Sequence, residues 1–213
     1  PGMSTLELDE IASVIFGVEE RFLPLRTIAG SGIDLRPINE VVVHGIPSAD
    51  IIVREGDIIS FDVGAILDGY HGDAARTVAC GKISDEAQKL IDDTRQSFFC
   101  GMEEAHEARL SDIGHAIQVY AEDRGYGVVR DSAVMALAEM HEDPQIPNYG
   151  KPGHGPRLKS DVSGCRTNDQ PGTYEVEVLQ DNWTTVTLDG KLSCHYENTI
   201  AITEDGPVIL TAL

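Results

Sequence analysis

No run of 18 or more apolar residues occurs anywhere in the chain, which excludes a membrane-spanning helix of ordinary length. No basic patch followed by a short apolar stretch opens it, so no secretory signal is expected at the start. Basic residues are scarce: 16 Lys and Arg stand against 36 Asp and Glu, a formal charge of −20. That balance repels nucleic acid and anionic membrane and argues against both as partners. Cysteine is sparse too. Cys80, Cys100, Cys165 and Cys194 are far apart and form no CxxC pair, the pattern of free thiols in a reducing cytoplasm. No solenoid repeat and no low-complexity tract interrupts the sequence.

What is present is enough for one sizeable core, and one domain over residues 1–213 is the expectation. The chain begins at Pro1, and a shortened N-terminal helix is expected there. Ser4-Thr5-Leu6-Glu7 reads as a capped helix start. Val41-Val42-Val43 reads as a short buried strand, and Ile58–Ile66 and Tyr70–Cys80 as two strands joined by the hairpin signal Asp68-Gly69. Ser84–Glu104 and Ser111–Arg124 carry helical periodicity. Gly125–Arg130, Tyr174–Thr187 and His195–Thr203 read as strands. Asp131–Gly150 splits into a bland run of good helix formers, SAVMALAEM, and a segment dense in Pro, His and acids. Strand pairs followed by helix pairs argue an α+β fold.

Three carboxylates fall where carboxylates are costly. Asp62 lies between Phe61 and Val63 in an apolar strand. Asp73 follows His71-Gly72 on the partner strand, so that the two acids can meet across one face. Glu197 enters the edge of the core ahead of Ile200-Ala201-Ile202. Each reads either as a satisfied buried acid or as a metal ligand. His44, after three valines, and His141, before Glu142-Asp143-Pro144, are candidate donors to a substrate carbonyl. His71, His106, His115, His154 and His195 have weaker claims, and Trp183 reads as core.

Taken in order, INEVVVHGIP (38–47), GDIISFDVGAILDGYHGDAARTV (56–78), LSDIGHAIQ (110–118), HEDPQIPNYGKPGHGPRLK (141–159) and WTTVTLDGKLSCHYENTIAIT (183–203) resemble type I methionine aminopeptidases. The resemblance covers most of the chain and implies the α+β pita-bread (creatinase/aminopeptidase-like) fold, an antiparallel sheet with flanking helices in pseudo-two-fold halves. It implies metal-dependent removal of the N-terminal methionine from nascent proteins in the cytoplasm, by a monomer acting on peptide N-termini. It further implies Asp62 as ligand to one divalent cation of the Co, Mn, Fe or Zn class, Asp73 and Glu197 as bridges between two, and His44 and His141 as catalytic residues on the substrate side. Proline-specific peptidases share the carboxylate pattern, but the histidine segments resemble the methionine type.

Two family motifs are absent. A Gly-His-Gly-Ile-Gly segment is expected where Ala133–Glu139 stands, and Glu-Pro-Met where Gly164–Asp169 stands. Each replacement reads as the family motif in a shifted frame. Codons for Gly-His-Gly-Ile-Gly-Arg, begun one base later, yield Val-Met-Ala-Leu-Ala, the order of Val134–Ala138. Codons for Glu-Pro-Met-Ile-Asn, begun one base earlier, yield Arg166–Gln170. A third such patch is Gly32–Leu35. On this reading, segments 17–37, 132–139 and 160–171 depart from the family by frame, and ordinary divergence to an inactive peptide- or protein-binding relative is the alternative. With a nitrogen ligand and a carboxylate missing, one ion or none is expected where the family holds two. Loss of a general base alone lowers rates by about 10²–10⁴, so weak activity is expected. Polar residues in the 164–169 strand are expected to destabilise the sheet they enter.

Overall fold

The computed structural model describes residues 1–16, 32–34, 38–67, 70–106, 108–130, 133–137, 141–158 and 161–212. Three helices are present among them: α1 (Thr5–Phe16), α2 (Asp85–Glu103) and α3 (Leu110–Glu122). The strands are β1 (Gly32–Asp34), β2 (Val41–Val43), β3 (Ile58–Leu67), β4 (Tyr70–Ala79), β5 (Gly127–Val128), β6 (Ala133–Leu137), β7 (His141–Pro147), β8 (Asp161–Gln170), β9 (Val176–Val178), β10 (Thr185–Thr187), β11 (Cys194–Thr203) and β12 (Gly206–Ile209). The main sheet runs β1-β3-β4-β11-β8-β5, with β12 also paired to β11. A second sheet runs β2-β10-β9, and β6 pairs β7. Every pairing among the described strands is antiparallel. No described helix is long and apolar enough to cross a membrane.

Local chemistry accounts for the elements. Ser4 and Glu7 form a reciprocal cap ahead of α1: Ser4 N–H donates to Glu7 Oε2 at 2.7 Å and Glu7 N–H to Ser4 Oγ at 3.2 Å. The bond from Ser4 N–H, with one from the Ser4 hydroxyl, holds the Glu7 carboxyl below its ordinary range. Ser84 Oγ caps α2 by accepting from Ala87 N–H, and Asp85 and Glu86 face the positive end of the helix dipole. β3 and β4 pair over ten residues, ending at Leu67 opposite Tyr70. That register leaves two residues for the turn. Asp68-Gly69 themselves lie outside the described residues.

Two strands are shorter than their sequence suggests. Tyr174–Thr187 divides into β9 and β10, because Asp181 accepts from the N–H groups of Trp183 and Thr184 and Asn182 adopts φ +57°, which turns the chain. Gly125–Arg130 contributes only β5, since Gly125, at φ +83°, still closes the end of α3. The SAVMALAEM run is not helical at its centre: Ala133–Leu137 is β6, paired with β7. A cross-strand partner overrides the local helix propensity there.

Strand alternation sorts β11 into two faces. Cys194 packs in a cluster with Ala87 and Leu90 of α2; Ile200 and Ile202 pack with Phe98, Ile113, Ile117 and Ile146. α2 and α3 therefore cover this face, and His195, Glu197 and Thr199 belong to the other. Cys80, Cys100 and Cys194 are free thiols, and burial pushes Cys194 up to about 12. α3 meets β7 closely at Gly114. A Cβ there would sit 2.1 Å from the Pro147 carbonyl oxygen and 3.0 Å from Tyr149 N.

β8 brings an acid into this apolar layer. Asp169 pairs with Cys194 in register and is fully buried. Ser97 Oγ donates to its Oδ2 at 3.0 Å, and its Oδ1 has no hydrogen-bond partner among the described residues. Burial outweighs the lowering effect of the Ser97 and Thr94 hydroxyls and pushes the carboxyl up to about 7.

Two outcomes follow. Gly114→Ala should cost roughly 2–3 kcal/mol, because rigid backbone must move. A melting temperature unchanged from the parent would show that the contact yields freely. For Asp169 the folded pKa is raised, so the folded state holds its proton while the unfolded chain releases it. Stability should therefore fall as pH rises between about 4 and 7, by roughly 4 kcal/mol in all. Urea denaturation across that range should show the slope in the parent and its loss in Asp169→Asn; parallel pH curves for the two would refute it.

Candidate metal centre

The site is built on one cross-strand row. Asp62 on β3 and Glu197 on β11 are both register partners of Ala75 on β4. Residues paired directly across an antiparallel ladder share a face, so the two acids flank the small Ala75 side chain on the face away from α2 and α3. His195 lies two residues before Glu197 and shares that face. Its Nε2 is 3.0 Å from Glu197 Oε2, and both side chains are only 2 % exposed. The donor atoms of Asp62, His195 and Glu197 all lie within 4.8 Å of one another, with Asp62 half-buried.

Hydroxyls pin the backbone around the row. Thr77 Oγ1 accepts from His195 N–H at 2.8 Å and donates to His195 O at 3.1 Å, and Ser60 Oγ meets it at 2.7 Å. Thr199 does the same for Asp73, accepting from its N–H at 2.8 Å and donating to its carbonyl at 3.2 Å. From the opposite face, Arg76 lies 4.1 Å over the Tyr196 ring and donates to Glu197 O and Asn198 Oδ1.

The expected site residues separate into three groups. Asp62 and Glu197 converge with His195. Asp73 is half-buried on the same face, opposite Gly64 and two residues from Ala75, and its carboxylate lies outside the three-donor group. His44 follows β2, in the second sheet, at φ +61°. It stacks on Trp183 with ring centroids 4.5 Å apart, and Thr184 Oγ1 donates to its carbonyl. Trp183 is thus half-buried against a histidine, not in the core. His141 begins β7 opposite Leu137, and its side chain lies outside the described ones. Arg166 stands opposite Glu197 in the β8 register, where the family carboxylate was expected.

His195 carried only a weak claim in the sequence. The signal that points to it is the alternation itself: in His-x-Glu on a strand, ring and carboxylate fall side by side on one face. Two carboxylates and an imidazole converging in a largely buried position suit a divalent cation of intermediate softness.

The profile of metallopeptidase family M24 matches residues 1–204 of the chain. The chain belongs to metallopeptidase family M24. A methionine aminopeptidase of Clostridium acetobutylicum is 50 % identical over 218 residues, covering 99 % of this chain and 86 % of the relative. Methionine aminopeptidase 1 of Bacillus subtilis is 46 % identical over 215 residues, covering 99 % and 86 %. The crystal structure of a methionine aminopeptidase from Thermotoga maritima superposes with a TM-score of 0.89 at 35 % identity, covering all of this chain and 87 % of that one. The M24 chain is therefore a metalloaminopeptidase of the methionine type with the pita-bread fold, as its motifs implied. The binding-module alternative is not favoured. M24 membership carries divalent-metal dependence with it.

Proposed function

We propose that this protein removes the N-terminal methionine from nascent chains in the cytoplasm, as a monomer, with Asp62, Asp73 and Glu197 as metal-binding carboxylates. What carries the reading is the pairing of Asp62 and Glu197 across Ala75 in a chain whose near-full-length relatives are named methionine aminopeptidases. A cation of the Co, Mn, Fe or Zn class, once bound, supplies Lewis acidity to the scissile carbonyl and lowers the pKa of a reacting water. The remaining work falls to the chain. Asp62 and Glu197 would hold the cation from β3 and β11, and Thr199 holds the backbone of Asp73 beside them. His44, steadied by its stack on Trp183, donates to the substrate carbonyl, with His141 as the second donor on that side. The charge of −20 favours a free α-ammonium group as the end of the substrate and disfavours nucleic acid.

The test is hydrolysis of a Met-Gly-type peptide by the purified chain, stripped of metal and reloaded with Co²⁺ or Mn²⁺. Activity should vanish on stripping and return on reloading. Asp62→Asn and Glu197→Gln should each lower kcat/KM by at least ~10²-fold, and His44→Ala should act mainly on kcat. Beside the Clostridium acetobutylicum relative, the parent chain should be slower by about 10²–10⁴. Metal-independent cleavage, or full activity in Glu197→Gln, would defeat the reading.

A further inference from the structure

We infer that His195 is itself a metal ligand, so that the chain holds one divalent ion on an imidazole nitrogen of His195 and the carboxylates of Asp62 and Glu197. The inference rests on the metallopeptidase reading above and deepens it.

Three observations carry it. The first is convergence. Donor atoms from β3 and β11 lie within 4.8 Å of one another. Nitrogen and oxygen ligands about 2.0–2.2 Å from a common ion sit roughly 3–4 Å apart, so small side-chain rotations close the set. The second is charge. A histidine that only oriented Glu197 would need the 3.0 Å bond between them and nothing more. Asp62, from a separate strand, also brings its carboxylate within 4.8 Å. Two carboxylates so close repel when both are ionised, and a cation between them removes that cost. The third is rigidity. His195 is held through its N–H and its carbonyl by the Thr77 hydroxyl, which Ser60 holds in turn, so the ring starts from a fixed backbone. One nitrogen with two oxygens favours Co²⁺, Zn²⁺ or Fe²⁺ over Mg²⁺ or Ca²⁺.

The experiment uses the full chain, grown with natural-abundance or ¹⁵N-labelled histidine and stripped of metal. Affinity is read by calorimetric titration with Co²⁺. Ligand identity is read by pulsed electron paramagnetic resonance with substoichiometric Cu²⁺. The parent should bind one Co²⁺ and show imidazole ¹⁴N modulation that changes with the ¹⁵N-histidine label. His195→Gln should bind Co²⁺ at least ~10-fold more weakly and lose the modulation, while its circular dichroism without metal matches the parent. The affinity change alone would also follow from losing a hydrogen-bond partner of Glu197; the nitrogen coupling would not. Modulation that persists in His195→Gln, or is absent from a parent that binds metal through Glu197, overturns the inference and leaves the metallopeptidase reading standing. Failure of the parent to bind any divalent ion, with circular dichroism showing it folded, defeats both. Should His195→Gln not fold, His44→Gln and His71→Gln decide the matter. Parent-like modulation in both supports His195, and its loss in either transfers the nitrogen ligand to that histidine.

Discussion

The site hangs on one register: Ala75 of β4 paired with Asp62 on one side and Glu197 on the other. Ala75 is completely buried, and its methyl group leaves room between two carboxylates that a larger side chain would fill. A slip of one residue in either ladder would turn an acid towards α2 and α3 and expose the row's apolar neighbours instead. The register is fixed from several directions. The ten-residue β3–β4 ladder sets one side. Thr77 and Thr199 stitch β4 to β11 on either side of the row. Arg76, on the opposite face, reaches Glu197 O and Asn198 Oδ1 while lying over Tyr196. The donors are few, but the backbone beneath them is over-determined.

The two neighbours of β11 bear unequal loads. Towards β4 its polar groups are matched by hydroxyls and a guanidinium. Towards β8 and α2 the accounting is poorer. Asp169 Oδ1 and both polar atoms of the Gln170 side chain are buried without hydrogen-bond partners among the described residues. Each such group costs roughly 1–3 kcal/mol. The cost gathers at the end of β8, past the Arg166 position that pairs with Glu197. Local opening should therefore begin at the β8 end and leave the β3–β4–β11 core of the site until later.

Much of this was legible in the sequence because strand periodicity and turn chemistry are short-range signals. The β3–β4 hairpin, the cap of α1, and the placement of Asp62, Asp73 and Glu197 on their strands all follow from residues close together in the chain. The conformation of Ala133–Leu137 was not legible. Alanine, leucine and methionine favour helix, and only the partner strand β7 makes the segment extended. His195 was hidden differently. Its type and its strand were evident, but its value depends on a carboxylate 133 positions earlier in the chain, brought opposite through β4. Trp183 reads as core by size, whereas the turn closed by Asp181 delivers it to His44. What the sequence hid, in each case, was a pairing between elements.

The same distinction explains how the fold holds where the motifs expected from the resemblance are absent. β8 pairs with β11 at nine consecutive positions although Asp161–Gln170 is rich in polar residues and lacks the Glu-Pro-Met expected there. A ladder is made by N–H and C=O groups that nearly every residue supplies alike, so strand pairing survives changes that remove a ligand. The superposition with the Thermotoga maritima enzyme is accordingly close at 35 % identity. Backbone likeness of that kind locates a site without saying which donors remain in it. In this chain the donors that converge, Asp62, His195 and Glu197, belong to β3 and β11, while Arg166 stands opposite Glu197 on β8. The metal chemistry available to the protein is therefore set on the β3–β4–β11 side of the sheet, where the register is best secured.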